Sequence, residues 1–253
     1  MRWLLTLGVC FLCTLGVAQT KAQEEVSLEL VLLADATGSI DNAEIQFQRQ
    51  GYATAITDPA VIDAIQHTGY GRIAITYVEW ANALSQDVVV PWTIVEDEAS
   101  AAAFAEALLP PSRTAFGRNA IGSALLFGKE LIETNDIVGQ RRVIDLSADS
   151  ANNWNGPPIS VARDEVLGAG IIINGLAVLC RSCSGRPVSY DLEEAFANLI
   201  IGGPGSFVIT ADSSETFADA VRRKLILEIA EAPLGPTIRA ALGLPISDPP
   251  AIR

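Results

Sequence analysis

The 253-residue sequence is poor in the side chains that supply nitrogen and sulfur ligands. Its single histidine, His67, excludes any chemistry that needs two histidines. Two of its four cysteines, Cys180 and Cys183, lie outside the apolar N-terminal segment, so a zinc site on them would need two more ligands, and only His67 is available. Beyond residue 22 the only lysines are Lys129 and Lys224. A metal site in this chain therefore depends on oxygen ligands.

Basic residues are also scarce relative to acidic ones. The chain has 17 lysines and arginines against 30 aspartates and glutamates, a formal net charge of −13. Such a chain repels nucleic acid and anionic membranes, so neither is an expected partner. A hydrophobic fraction of 49% against 19% charged residues excludes a disordered chain. The length allows one α/β domain or two small ones.

Residues 1–22 read as a secretory signal peptide. Arg2 precedes an apolar run over residues 3–17, and cleavage after Ala18 or after Ala22 fits equally well. The run is short for a membrane span, which needs ~20 apolar residues, although an uncleaved anchor is the alternative. We therefore expect a secreted or periplasmic protein with no transmembrane segment after cleavage.

The remaining cysteines have C-x-x-C spacing, with Cys180 and Cys183 placed between a predicted strand and Gly185. Outside the cytoplasm such a pair favours a short disulfide within a loop. A redox site is the alternative, but it requires a reactive thiolate at the start of a helix. We expect a Cys180–Cys183 disulfide.

Apolar runs and helical periodicities alternate along the chain. The run at 28–34 is continuously apolar, as in a strand that is buried on both faces of a parallel sheet. The strands at 72–80 and 86–92 are separated by a short turn and should form an antiparallel hairpin. This alternation predicts a doubly wound α/β fold over residues 27–230, with a mostly parallel six-stranded sheet, one antiparallel strand and helices on both faces. A proline-rich extended tail should follow over 231–253. The other predicted strands are 142–147, 171–178 and 207–210, and the predicted helices are 41–56, 96–108, 121–132, 160–167, 193–200 and 217–229.

Side chains with oxygen ligands follow several predicted strands, where open α/β sheets place their sites. Asp35, Thr37 and Ser39 follow the first strand, Thr114 precedes the amphipathic helix at 121–132, and Asp149 follows the strand at 142–147. Carboxylates and hydroxyls are the ligands that hard cations such as Mg²⁺ prefer. Taken alone, the D-A-T-G-S segment fits a turn and helix cap equally well.

Together these segments resemble the von Willebrand factor type A family, whose metal-ion-dependent adhesion site (MIDAS) uses D-x-S-x-S, a distant threonine and a distant aspartate. The resemblance extends from residue 27 to about residue 230, and it includes features of an uncharacterised secreted bacterial branch. It implies that Asp35, Thr37, Ser39, Thr114 and Asp149 bind a divalent cation, Mg²⁺ or else Mn²⁺ or Ca²⁺. It also implies that an acidic side chain of a protein partner completes the coordination.

The sequence departs from the family pattern at two positions. Thr37 replaces the usual serine and keeps the hydroxyl, and Ser150 follows Asp149 where glycine is frequent. Neither change removes a ligand, so they bear on affinity and on the choice of metal.

Four further residues are expected around the site, where they would form the partner surface. Trp80 ends its predicted strand, Arg113 and Phe116 flank Thr114, and Trp154 follows Asp149. Aromatic residues in such positions either pack inward or anchor a protein partner. Asp145 lies inside a strand, where it should either brace the metal loops or occupy a half-exposed face.

Two other functions remain open on sequence grounds. The D-A-T-G-S segment also resembles the D-K-T-G-T of phosphoryl-aspartate phosphatases, in which Asp35 would be the nucleophile and Asp149 would hold Mg²⁺. Such an enzyme needs a lysine in its site, and Lys129 lies within the predicted amphipathic helix. A scaffold with a purely structural metal is the second alternative. We expect a metal-dependent binding protein rather than an enzyme.

Overall fold

The computed structural model describes residues 23–179, 189–212 and 214–230. The predicted signal segment, Cys180 and Cys183, and the tail over 231–253 lie outside the described residues. Six strands form one sheet in the order β3-β2-β1-β4-β5-β6. The strands are β1 (Glu24–Asp35), β2 (Ile73–Trp80), β3 (Gln86–Val95), β4 (Ile137–Ala148), β5 (Ile172–Val178) and β6 (Val208–Ala211).

The apolar first strand lies at the centre of the sheet. It pairs in parallel with β2 and with β4, so that Leu28 lies opposite Ile73 on one side and Arg141 on the other. Among the described strands, β2 and β3 form the one antiparallel pair. The predicted fold class, a mostly parallel six-stranded sheet with one antiparallel strand, is confirmed.

Helices cover both faces of this sheet and enclose two hydrophobic cores. Successive residues of β1 point to opposite faces, so Leu30 and Leu32 enter one core while Val31 and Leu33 enter the other. No helix within the described ranges is both long and apolar enough to cross a membrane. The first core is covered by α1 (Asn42–Ile56), α2 (Pro59–Gln66), α3 (Glu98–Leu108) and α7 (Ser214–Ile229), and the second by α4 (Ile121–Glu133), α5 (Ile159–Gly168) and α6 (Leu192–Leu199).

The capping residues explain where the first two helices begin. Asp41 caps α1 in a capping box, because its side chain accepts from the backbone of Glu44 while Glu44 accepts from the backbone of Asp41. The short helix α2 was not predicted, although Asp58 caps it and Pro59 occupies its first turn. His67 ends α2 with an exposed ring.

Both expectations for Asp145 are wrong. Its side chain is 1% exposed, so the strand is not half-exposed at this position. Its carboxylate lies 2.8 Å from the ammonium of Lys224 on α7, on the side of the first core, so it pairs with that helix instead of bracing the metal loops. Lys224, which lies 79 residues later in the chain, is the partner that the buried carboxylate requires.

Candidate metal centre

Four of the five predicted ligands meet at the carboxyl end of the central strands. Asp35 is the last residue of β1, and its Oδ1 accepts a hydrogen bond of 2.8 Å from the backbone of Thr37. The hydroxyls of Thr37 and Ser39 are 3.2 Å apart, and Ser39 donates to Asp149 Oδ2 at 3.0 Å. The parallel pairing of β1 with β4 brings the two loops together across 110 residues of sequence.

The two carboxylates in this cluster are poorly solvated. Asp35 and Thr37 are each 1% exposed and Asp149 is 5% exposed, whereas Ser39 is exposed. Burial, followed by the charge of Asp149, raises the pKa of Asp35 to about 7. Burial also raises the pKa of Asp149. The second carboxylate oxygen of Asp35, Oδ2, is buried and has no hydrogen-bond partner within the described part of the chain.

The fifth predicted ligand, Thr114, lies on the neighbouring loop between α3 and α4. Its side chain is exposed. This loop is attached to the loop that follows β1, over residues 36–40, because the backbone of Gly38 donates to the carbonyl of Gly117 at 2.8 Å. Gly117 has a φ of 128°, and a Cβ there would lie 2.6 Å from Asn82 Nδ2, so a side chain at this position would displace the loop.

Arg113 holds the same two loops together. Its Nη2 donates to the carbonyls of Ala36 and Thr37, and its Nη1 donates to the carbonyl of Ile40 at 2.5 Å. Its Nε donates to the carbonyl of Ala115. The prediction placed Arg113 on the partner surface, but its guanidinium is half-buried and its donors face the protein. It therefore positions the loop over residues 36–40 relative to its own loop.

The prediction that Trp80 belongs to the partner surface is wrong. Trp80 is fully buried and packs in the second hydrophobic core. It lies directly opposite Asp35 in the β1–β2 register, so it is close to the site along the sheet as expected. Its ring nevertheless points into the core between the sheet and α4, because side chains in a fully covered sheet are buried on both faces.

The other two aromatic residues are exposed near the candidate site. Phe116 is 54% exposed and Trp154 is 60% exposed. The guanidinium of Arg113 lies 4.6 Å from the ring centre of Phe116, and that of Arg118 lies 4.5 Å from the ring centre of Trp154. These contacts hold both rings at the surface, and their role in partner binding stays a prediction.

The sequence reasoning missed a buried ion pair that supports the Thr114 loop. Arg49 Nε lies 2.7 Å from Glu79 Oε1, with both side chains buried, and Arg49 Nη1 donates to the carbonyl of Pro111. A signal was present, since Arg49 falls at helical spacing between Ile45 and Tyr52 on the apolar face of α1.

The side chains at this site suit the binding of a hard cation better than they suit phosphatase chemistry. Two carboxylates and three hydroxyls are oxygen ligands of the kind that Mg²⁺ and Ca²⁺ accept, and the unpartnered Asp35 Oδ2 is available to one. In the described ranges no three or more histidine, cysteine, aspartate or glutamate side chains cluster as a metal site. Neither described lysine serves the site, because Lys129 pairs with Glu133 and Glu165, and Lys224 pairs with Asp145.

Removing divalent ions should make the stability of the domain depend on pH through Asp35. Because its folded-state pKa is raised from 3.8 to about 7, the stability that this group contributes is present below its unfolded pKa and is lost as the pH rises toward 7. Chemical denaturation in chelator at about pH 5 and about pH 8 should show a smaller free energy of unfolding at the higher pH, and Asp35→Asn should reduce the difference. Equal pH dependence in the two proteins would contradict the raised pKa.

Several solved proteins have a similar fold. Proximal thread matrix protein 1 from the mussel byssus matches with a TM-score of 0.55 and 15% identity, over 82% of this chain and 47% of that one. A von Willebrand factor type A protein from Catenulispora acidiphila matches with a TM-score of 0.54 and 18% identity, over 81% and 43%. The pilus adhesin SpaC from Lactobacillus rhamnosus GG matches with a TM-score of 0.53 and 12% identity, over 80% and 30%. The chain thus spans less than half the length of these proteins.

The mussel protein has also been solved with a zinc-occupied MIDAS motif, and this form matches with a TM-score of 0.50 and 15% identity, over 79% of this chain and 46% of that one. No curated protein sequence matches the chain. The family model described as "Protein of unknown function (DUF1194)" matches residues 25–233. The chain belongs to this family, and its fold is that of a von Willebrand factor type A domain.

Proposed function

We propose that this domain binds a protein partner through a divalent cation held by Asp35, Thr37, Ser39, Thr114 and Asp149. One observation carries the proposal: the buried Oδ2 of Asp35 has no hydrogen-bond partner among the described residues. A buried carboxylate oxygen without a partner is costly, and a bound cation would remove that cost.

The five side chains would have different tasks in such a site. Asp35 and Asp149 supply negative charge, and their raised pKa values reflect the cost of holding that charge without a counter-ion. Ser39 already donates to Asp149, so its hydroxyl oxygen is held between the two metal loops. Thr114 is exposed on the third loop and would complete the set. A divalent cation here would offer a coordination position to an acidic side chain of the partner.

The similar proteins support this proposal. A zinc-occupied MIDAS motif is reported for the mussel matrix protein, and adhesion for the Lactobacillus pilus protein. Their likeness to this chain is one of fold. The acidic composition and the expected signal segment agree with a secreted or periplasmic protein that binds proteins rather than nucleic acid.

Capture of a partner should require both the cation and Thr114. In a pull-down from envelope extract with Mg²⁺ present, chelation and Thr114→Ala should remove the same bands, because both empty the same coordination shell. Thr54→Ala is the matched control, since Thr54 is an exposed threonine near the far end of α1. It should leave capture unchanged.

The alternatives give different results in the same preparation. A purely structural metal would stabilise the fold, yet partner capture would survive Thr114→Ala. A phosphoryl-aspartate phosphatase would hydrolyse aryl phosphates in Mg²⁺ and lose this activity in Asp35→Asn. We expect no such turnover. Turnover that depends on Asp35, together with capture that survives chelation, would refute the proposed function.

A further inference from the structure

A buried lysine contacts two carboxylates between the sheet and the last helix. Lys224 and Glu228 lie on successive turns of α7, and Asp145 faces them from β4. The Nζ of Lys224 is 2.8 Å from Asp145 Oδ1 and 2.5 Å from Glu228 Oε1, and the three side chains are at most 1% exposed. This cluster is separate from the metal loops and takes no part in the proposed function.

The cluster pairs one ammonium with two buried carboxylates. Lys224 donates a hydrogen bond to Glu228 Oε1, and its Nζ forms a second ion pair with Asp145 Oδ1 at 2.8 Å. Glu228 Oε2 is buried without a hydrogen-bond partner in the described part of the chain. With both carboxylates ionised, one ammonium would leave an excess negative charge in a buried site, which is an expensive arrangement and favours a proton on Asp145. The amine is thus held at contact distance from the Asp145 carboxyl.

Neighbouring side chains fix the cluster and exclude water. Asn174 donates to Glu228 Oε1 at 3.1 Å, which orients that carboxylate toward Lys224. The ring of Phe207 lies 5.1 Å from the Lys224 ammonium. Tyr52, also fully buried, is close enough that the charge of Asp145 contributes to the raised pKa of its phenol, after burial itself. A nucleophile, an acyl carbon and a proton carrier are therefore held together in a dry space.

We propose that Lys224 and Asp145 condense to an intramolecular amide bond, with Glu228 as the proton carrier. Glu228 takes a proton from the ammonium and frees the lone pair on Nζ. The Nζ–Cγ bond forms to the protonated carboxyl of Asp145. Glu228 passes its proton to the departing hydroxyl and takes the second N–H proton. The Cγ–O bond breaks, one water leaves, and nothing is oxidised or reduced.

The protonation states that this step requires are accessible at neutral pH. Burial, followed by the charge of Glu228, raises the pKa of Asp145 to about 7, so the neutral acid is well populated. Burial lowers the pKa of Lys224, but Asp145 and Glu228 together outweigh it and raise the pKa, so the ammonium has to give up its proton to Glu228. Groups held in reacting geometry reach effective molarities of about 10⁵–10⁸ M. The condensation is therefore favoured relative to the same reaction between a free amine and a free carboxylic acid in water. The product replaces a buried ion pair with a neutral amide.

Mass spectrometry of the full-length protein tests the bond directly. After reduction of disulfides, the intact mass should fall short of the sequence mass by one water molecule, allowing for signal cleavage. Trypsin should release residues 143–163 joined to residues 224–239, without cleavage after Lys224. Lys224→Arg should restore the full mass. Wild-type protein with the full mass and two separate peptides would overturn the proposal.

Two further variants test the assigned roles. Glu228→Gln keeps the shape of the side chain and both reacting groups, but it cannot take the ammonium proton, so the joined peptide should be absent. A joined peptide that forms equally well in this variant would refute the role of Glu228. Lys129→Arg is the matched control, because Lys129 forms only partly exposed ion pairs on another face, and the bond should persist.

Discussion

Mg²⁺ or Mn²⁺ at about 100 times its dissociation constant should stabilise the domain by ~2.7 kcal/mol, which raises the melting temperature by ~5–10 °C. The physical reason is the cluster at the end of β1, where the carboxylates of Asp35 and Asp149 are buried without a counter-ion and the Oδ2 of Asp35 has no partner in the described residues. The unfolded chain has no such cluster and binds the ion weakly. Asp35→Ala should abolish the increase, measured by thermal unfolding with and without the ion.

An exposed aspartate provides the matched control for this measurement. Asp63 lies on α2 with its side chain 73% exposed, so Asp63→Ala removes one carboxylate without touching the metal loops. Its melting temperature should respond to the ion as the wild type does. An unchanged wild-type melting temperature at millimolar Mg²⁺, Mn²⁺ and Ca²⁺ would contradict the metal site, as would equal loss of the response in both variants.

The parts of the fold that the sequence predicts are those with strong local patterns. The continuous apolar run at 28–34 indicates a strand buried on both faces, and it forms the central strand β1. The helix at 121–132 repeats apolar residues at helical spacing and is found as α4. The eight-residue α2 was missed because it is only about two turns long and falls between stronger elements.

At the candidate site too, the sequence predicts the features that depend on local patterns and misses those that depend on distant packing. Asp35, Thr37 and Ser39 are near one another in the chain, and their link to Asp149 follows once β1 and β4 are neighbours. The orientation of Trp80 could not be predicted, because the position of a residue at a strand end does not say which face is covered. That depended on α4 packing over the sheet, which brings Trp80 into the second core.

Buried charge pairs are the features that sequence patterns conceal most. Arg49 and Glu79 are 30 residues apart, and Asp145 and Lys224 are farther apart still. Taken singly, each of these residues is expected at the surface, since charged side chains are almost never fully buried unless they are paired. Their pairing becomes visible only when α1 is placed over β2, and α7 over β4. Both pairs lie beneath helices of the same face of the sheet.

Removing one partner of the Arg49–Glu79 pair should cost far more stability than removing a surface pair. Arg49→Met should lower the free energy of unfolding by about 3–5 kcal/mol, because Glu79 would remain buried with an uncompensated charge. Glu24→Gln is the comparison, since Glu24 pairs with Arg72 at 2.6 Å in a partly exposed position. That change should cost about 0–1 kcal/mol. Denaturant unfolding of the two variants measures the contrast.

The double variant Arg49→Met with Glu79→Leu separates stability from support of the metal loops. Replacing both charges with apolar side chains should recover most of the lost stability, since such replacements are often neutral or stabilising. The carbonyl of Pro111, however, loses its Arg49 donor in the single and the double variant alike, and Pro111 lies in the loop that contains Thr114. The response of the melting temperature to Mg²⁺ should therefore stay reduced after stability is restored. A double variant that recovers both together would show that Arg49 acts only through the buried charge pair.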